Sequence, residues 1–212
     1  MNWQVKYAVA NIPKQLPSTA EHVREELIRI VTDDRPEVLA AISAAEEIDA
    51  STAASYANLY PEMDFLCGYR AGCVWDGDAI SYLESRNVGW GNMGTLGSAV
   101  LDRNANKASH KTWRFSDRLL RQNRRVAKID REFDRIYSVT LESGKSLRIG
   151  MIDDYEPTAD AVRTLWDRFG PVDVAWNINP NGNPSPEAID AGNELGCEVL
   201  KWEGLKNLLT RS

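Results

Sequence analysis

A chain of 212 residues with 43% hydrophobic and 26% charged residues holds enough apolar material for one core or two small ones, which excludes a disordered polymer. No apolar run approaches the roughly 18 residues of a membrane helix, and residues 1–6 lack an apolar signal core, so a cytoplasmic protein without a membrane partner is expected. The net charge of −6 is uneven: residues 103–135 carry eleven Lys or Arg against Asp117, Asp130, Glu132 and Asp134, a local +7 that leaves −13 for the rest. Cys67, Cys73 and Cys197 fit no disulfide framework and no Cys/His ligand spacing, so reduced, mostly buried thiols are expected.

In chain order, residues 3–9 alternate loosely like a strand. Ser18-Thr19-Ala20-Glu21 reads as a capping box opening a helix through Val23, Leu27, Ile28 and Ile30. Pro36 suits the first turn of a second helix, whose stripe is Val38, Leu39, Ala41, Ile42 and Ala45. A third helix covers residues 52–66, interrupted by Pro61, and residues 68–97 show one amphipathic piece from Ala79 to Leu83. Residues 1–100 are therefore expected to form a mainly helical region, and residues 101–212 an α/β domain. No internal repeat is visible.

The second half is more explicit. Residues 111–124 form a basic helix whose apolar members are Trp113, Phe115, Leu119 and Leu120. Residues 135–141 and 146–152 are rich in β formers and flank the Ser143-Gly144 turn, which makes a hairpin. Thr158 caps a helix with Val162, Leu165, Trp166 and Phe169 on one face, ended by Gly170-Pro171. A strand over 172–178 follows, then a helix opened by Ser185-Pro186-Glu187, a strand over 197–202, and a closing helix with Leu205, Leu208 and Leu209. The order ββαβαβα predicts a mixed sheet with parallel crossovers, flanked by helices.

Several patterns carry possible chemistry. Gly89-Trp90-Gly91-Asn92-Met93-Gly94 matches the dinucleotide-binding G-x-G-x-x-G, but no buried strand is evident before it, and it reads as a structural turn anchored by Trp90. Lys111, Arg114, Arg118, Arg121, Arg124, Arg125 and Lys128 can neutralise the phosphates of DNA or RNA, with His110, Trp113 and Phe115 as stacking groups. The plainer alternative is a solvated helix face. Residues 177–184, an Asn/Gly/Pro loop at the end of a parallel strand, suit either a ligand or a tight connection. Asp153, Asp154 and Glu156 can hold Mg²⁺ or simply complement a helix dipole. His22 and His110 are the only histidines, and no Ser or Cys sits in a nucleophile signature, so triad chemistry is not expected.

Residues 133–209 resemble the restriction-endonuclease-like, PD-(D/E)XK, superfamily, in particular its branch related to type IV restriction nucleases. The resemblance lies in Asp134 at the start of a hairpin strand, the following helix, the strand over 172–178, the Ser185-Pro186-Glu187-Ala188 helix and Glu198-Val199-Leu200-Lys201-Trp202 with Leu205, Leu208 and Leu209. It implies a divalent metal held by Asp134 and by a (D/E)-x-K on the next strand, with metal and lysine activating water on a phosphodiester. That strand carries Met151 and Asp153 where the acid and lysine belong. The catalytic motif is thus expected to be degenerate, and no cofactor is expected. An active enzyme would need Asp134 with Asp153 or Asp154 around Mg²⁺ and Lys128 or Lys145 as a displaced lysine. Three functions stand: a nucleic-acid-associated protein with a degenerate nuclease-like domain, a non-catalytic regulatory protein docking a protein partner, or a divergent metal-dependent nuclease.

Overall fold

The computed structural model describes residues 1–211, which cluster into two compact units, Met1–Lys111 and a second starting at Thr112. The first unit runs α1 (Trp3–Gln15), β1 (Ser18–Arg24), β2 (Leu27–Thr32), β3 (Val38–Ser43), β4 (Glu47–Ile48), α2 (Ala50–Leu59), β5 (Phe65–Gly68), β6 (Val74–Trp75), α3 (Gly77–Ser85), β7 (Gly89–Gly91) and α4 (Met93–Asp102). Its main sheet has the order β1-β2-β3-β5-β7, antiparallel for the first two pairings and parallel for the last two, while β4 and β6 pair separately. Val5, Ala8 and Ile12 of α1 and Leu96, Ala99 and Val100 of α4 pack on Ile28, Ile30, Val38, Ala40, Ile42 and Phe65 of the strands.

The mainly helical region expected for residues 1–100 is therefore an α/β unit, and each misplaced element has a physical cause. Residues 3–15 are a helix because Val5, Ala8 and Ile12 recur at helical spacing and are all buried. The supposed helix from Ser18 is a hairpin, turned at Glu25 with φ 42°. The capping-box residues work across it instead: Ser18 Oγ lies 2.7 Å from Thr32 Oγ1, and Glu21 pairs with its cross-strand partner Arg29 at 2.9 Å. β3 is buried at nearly every position, so its unbroken apolar run looks equally like one helix stripe.

The second unit runs α5 (Lys111–Arg121), β8 (Val126–Phe133), β9 (Ile136–Leu141), β10 (Ser146–Ile152), α6 (Ala159–Phe169), β11 (Val174–Asn177), α7 (Pro186–Leu195), β12 (Glu198–Leu200) and α8 (Trp202–Arg211). The sheet order is β12-β11-β10-β9-β8, with β8, β9 and β10 antiparallel in turn and β10, β11 and β12 parallel. Leu120 of α5 and Leu205 and Leu209 of α8 cover one set of strand residues, Tyr137, Val139, Ile149 and Trp176. Val162 and Leu165 of α6 and Ala188 and Ala191 of α7 cover the alternate set, Ile136, Ile152, Ala175 and Val199. The mixed sheet flanked by helices is present, and β8 is an additional edge strand whose charges, Lys128, Asp130, Arg131 and Glu132, hid it from the sequence.

Both units have one layout, three antiparallel strands and then two parallel crossovers, in the same order. Equivalent positions stand 109 apart, as from 65 to 174 and from 89 to 198: Ala40 pairs with Phe65 as Ile149 pairs with Val174, and Phe65 with Gly89 as Val174 with Glu198. The irregularity between His22 and Arg24 recurs between Arg131 and Phe133. Asp64 accepts the Leu39 N–H at 2.9 Å, and Asp173 accepts the Arg148 N–H at 2.6 Å. This repeat was invisible in the sequence because the register recurs with different side chains, such as Phe65 and Val174 or Trp90 and Val199.

Candidate functional site

The basic helix comes first. α5 turns Ser116 and Leu120 inward, which leaves Lys111, Arg114, Phe115, Arg118 and Arg121 exposed, and Arg124, Arg125 and Lys128 continue that exposed run beyond it. The cations are not equivalent. Lys111 pairs with Asp102 at 2.9 Å, Arg121 with Asp117 at 2.9 Å and Lys128 with Asp130 at 2.7 Å. Arg114, Arg118, Arg124 and Arg125 have no carboxylate partner among the described residues. The Arg118 guanidinium sits 5.3 Å over the ring of Phe115, itself 49% exposed. Of the three stacking candidates only Phe115 faces solvent. His110 is half-buried, and Trp113 packs against the core with the Arg135 guanidinium 4.8 Å over its ring.

The acidic candidates lie at the edge where β10 ends. Asp134, in the turn between β8 and β9, is 1% exposed. Arg135 donates to both of its carboxylate oxygens, Nε to Oδ1 at 3.1 Å and Nη2 to Oδ2 at 3.2 Å. The same guanidinium lies between the rings of Trp113 and Phe169. Burial pushes the Asp134 carboxyl up from its ordinary value, against the pull of Arg135 and Arg168. A recess of about 150 Å³ next to it is lined by Arg135, Ile152, Asp153, Asp154, Arg168 and Phe169.

This arrangement does not fit a divalent cation. Asp153 and Asp154 are exposed just beyond β10, and the recess they line is shared with two guanidinium groups, Arg135 and Arg168, and not with Asp134. No group of three or more His, Cys, Asp or Glu among the described residues is placed to hold a metal. The positions facing inward at the end of β10 are Gly150, Met151 and Ile152, so no acid or lysine comes from that strand. Lys128 stands opposite Thr140 at the far end of the β8–β9 ladder from Asp134, and Lys145 lies in the turn that precedes β10. Neither reaches the edge, so the displaced-lysine roles and the trio of Asp134, Asp153 and Asp154 are not assembled.

The remaining motifs have local explanations. The N–H of Asn179 donates to Asn177 Oδ1 at 3.0 Å and that of Asn181 to Asn179 Oδ1 at 3.1 Å, successive Asx turns that knit the 177–184 loop. The G-x-G-x-x-G segment is β7 running straight into α4, a strand-to-helix junction, although no strand immediately precedes it. The space over the helix start is nevertheless filled, because Thr95 crowds Gly91 and Asn92 Oδ1 accepts the Thr95 N–H at 2.9 Å. Gly89 serves close packing: a Cβ there would lie 1.9 Å from the Ala105 carbonyl oxygen. We expect Gly89→Ala to cost about 3 kcal/mol in a urea titration, whereas Ala at its counterpart Glu198, an exposed strand position, changes stability by no more than about 0.5 kcal/mol.

In the first unit the position equivalent to Asp134 is Glu25, and the polar network there was not anticipated. Tyr56 donates to Glu26 Oε2 at 2.6 Å, Gln4 Nε2 to Glu26 Oε1 at 2.9 Å, and Tyr60 to Glu25 Oε2 at 3.2 Å. Burial, reinforced by Glu26, raises the Tyr56 phenol far above its usual range, so it stays a proton donor. β3 ends in Ile42 and Ser43 with no acid or lysine. Only the hairpin brings Glu26 against α2, which is why a helical reading of residues 18–30 gave no hint of it. No family model matches the chain, and comparisons with curated proteins and with solved structures found no match.

Proposed function

We propose that the second unit is a nucleic-acid-binding domain of restriction-endonuclease-like layout that has lost its metal-dependent chemistry. The observation that carries this reading is the row of four arginines on and just after α5, Arg114, Arg118, Arg124 and Arg125, exposed and unneutralised by any carboxylate among the described residues. The succession of β9, β10, α6, β11, α7 and β12 supports the reading, since it follows the order of elements on which the resemblance rests. Asp134 is the acid that the resemblance would make the first metal ligand, but Arg135 engages both of its oxygens, so a guanidinium takes the place of a metal ion. The first unit, which repeats the layout with Glu25 in place of Asp134, falls under the same reading.

The test is incubation of the chain with labelled duplex DNA, single-stranded DNA and RNA in Mg²⁺ or Mn²⁺. The expected result is a retained, uncut probe whose retention is unaffected by EDTA. Cleavage that Asp134→Asn abolishes would instead establish a metal-dependent nuclease at this edge.

A further inference from the structure

The first unit leaves two aromatic rings of α1 in water, set against Tyr69, which packs on its core. Trp3 and Tyr7, one helical turn apart on α1, are 59% and 45% exposed. Tyr69, the residue after β5, lies against both, its ring centroid 4.7 Å from Trp3 at 85° and 5.5 Å from Tyr7 at 79°. Edge-on packing against Tyr69 holds the two helix rings in place while leaving surface on each exposed. Tyr69 also marks the end of a parallel strand, the edge at which open α/β sheets bind ligands.

The charge carried by α1 itself is of one sign, while Glu26 of the hairpin accepts from Asn2 and Gln4 at its start. α1 contains no Asp or Glu, and Lys6 and Lys14 are both exposed on it. The feature also recurs in the other copy of the fold. Aligning the inward residues of the two leading helices, Ala8 with Ser116 and Ile12 with Leu120, sets Lys6-Tyr7 upon Arg114-Phe115. In each copy the same helix thus presents a cation followed by an exposed ring. An apolar docking surface for a protein would not call for a base beside each ring, whereas a strand with negative phosphates and flat bases uses both.

We infer that Trp3, Tyr7 and Tyr69 form a stacking platform for the unpaired bases of single-stranded nucleic acid, with Lys6 and Lys14 neutralising its phosphates. This rests on the nucleic-acid reading above and adds a substrate class to it, because a duplex hides the base faces that the rings would cover. α5 offers its charges to either form with one exposed ring, Phe115, and the three-ring α1 stack distinguishes between them.

The experiment titrates the full chain with a fluorescent oligothymidylate and with a duplex of equal length. Trp3→Ala/Tyr7→Ala should weaken oligothymidylate binding by about tenfold or more and leave duplex binding unchanged, and Trp3→Phe/Tyr7→Phe should restore most of the loss. Both residues are exposed, so an unchanged urea midpoint verifies that the fold is intact. If the alanine pair binds oligothymidylate as the wild type does while an α5 arginine variant has lost it, the platform is refuted and the α5 reading stands. If neither probe binds the wild type, both fail. A wild-type dimer that the alanine pair dissociates would make the stack a contact between copies and overturn the inference.

Discussion

Replacing Arg114, Arg118, Arg124 and Arg125 together with alanine lowers the affinity for duplex DNA by roughly a hundredfold at low salt and removes about 3.6 from the slope of log K against log salt. The slope follows from counterion release, since each lost phosphate contact withdraws about 0.9 from it. The loss should be similar for any base sequence, because guanidinium contacts to phosphate position a protein without reading bases. Alanine at Lys111, Arg121 or Lys128 should cost less, because each already shares its charge with a carboxylate within 3 Å. The variant is a fair test of binding because all four side chains are exposed and alanine is the best helix former. Fluorescence anisotropy over a range of salt reads both quantities, and an unchanged affinity in the quadruple variant would remove α5 from any nucleic-acid role.

Arg135→Ala should destabilise the second unit by about 3–5 kcal/mol, the cost of leaving a buried carboxylate without its partner. That is a large share of the roughly 5–15 kcal/mol that holds a domain together. The pH dependence has a definite sign. Burial raises the folded pKa of Asp134 above that of the unfolded chain, near 3.9 for a free Asp, so the folded state holds the proton more tightly. Its contribution is complete below the unfolded pKa and is lost as pH rises through the folded one. Removing Arg135 removes the main influence that lowers this pKa, so the loss extends to higher pH and becomes larger at neutrality. Asp134→Asn flattens that part of the profile, and Asp134→Asn/Arg135→Leu recovers most of the stability because no charge is then buried alone. Urea titrations of the second unit's transition from pH 4 to pH 8 measure all of this, and a midpoint unmoved by Arg135→Ala would show that the pair does not hold Asp134 in place.

How far the sequence could be read depended on how each element buries its residues. α6 and α7 were legible because Thr158 and Ser185 cap them and Val162, Leu165 and Ala188 fall inward at helical spacing. The β9–β10 hairpin was legible because β formers flank Ser143-Gly144. β2 and β3 were not, since a strand buried on both faces shows no alternation and Ser18 with Glu21 imitates a cap. Asp134, Asp153 and Asp154 could be picked out as acids, but their failure to assemble depends on Arg135, the adjacent residue, which only the turn geometry folds back onto the carboxylate. The arginines of α5 were all visible as charge. Arg121's partner Asp117 stands one helical turn before it and was legible. The pairing of Lys111 with Asp102, and of Lys128 with Asp130 on one face of a strand that the sequence hid, depended on the fold.

The most direct test of the account is a titration of the purified chain with labelled DNA and RNA at several salt concentrations. Binding to both that weakens steeply with salt is expected, with a slope of about −3.6 for duplex DNA from the four unpaired arginines. Absence of binding at low salt, or binding indifferent to salt, would contradict it and leave α5 a solvated helix face.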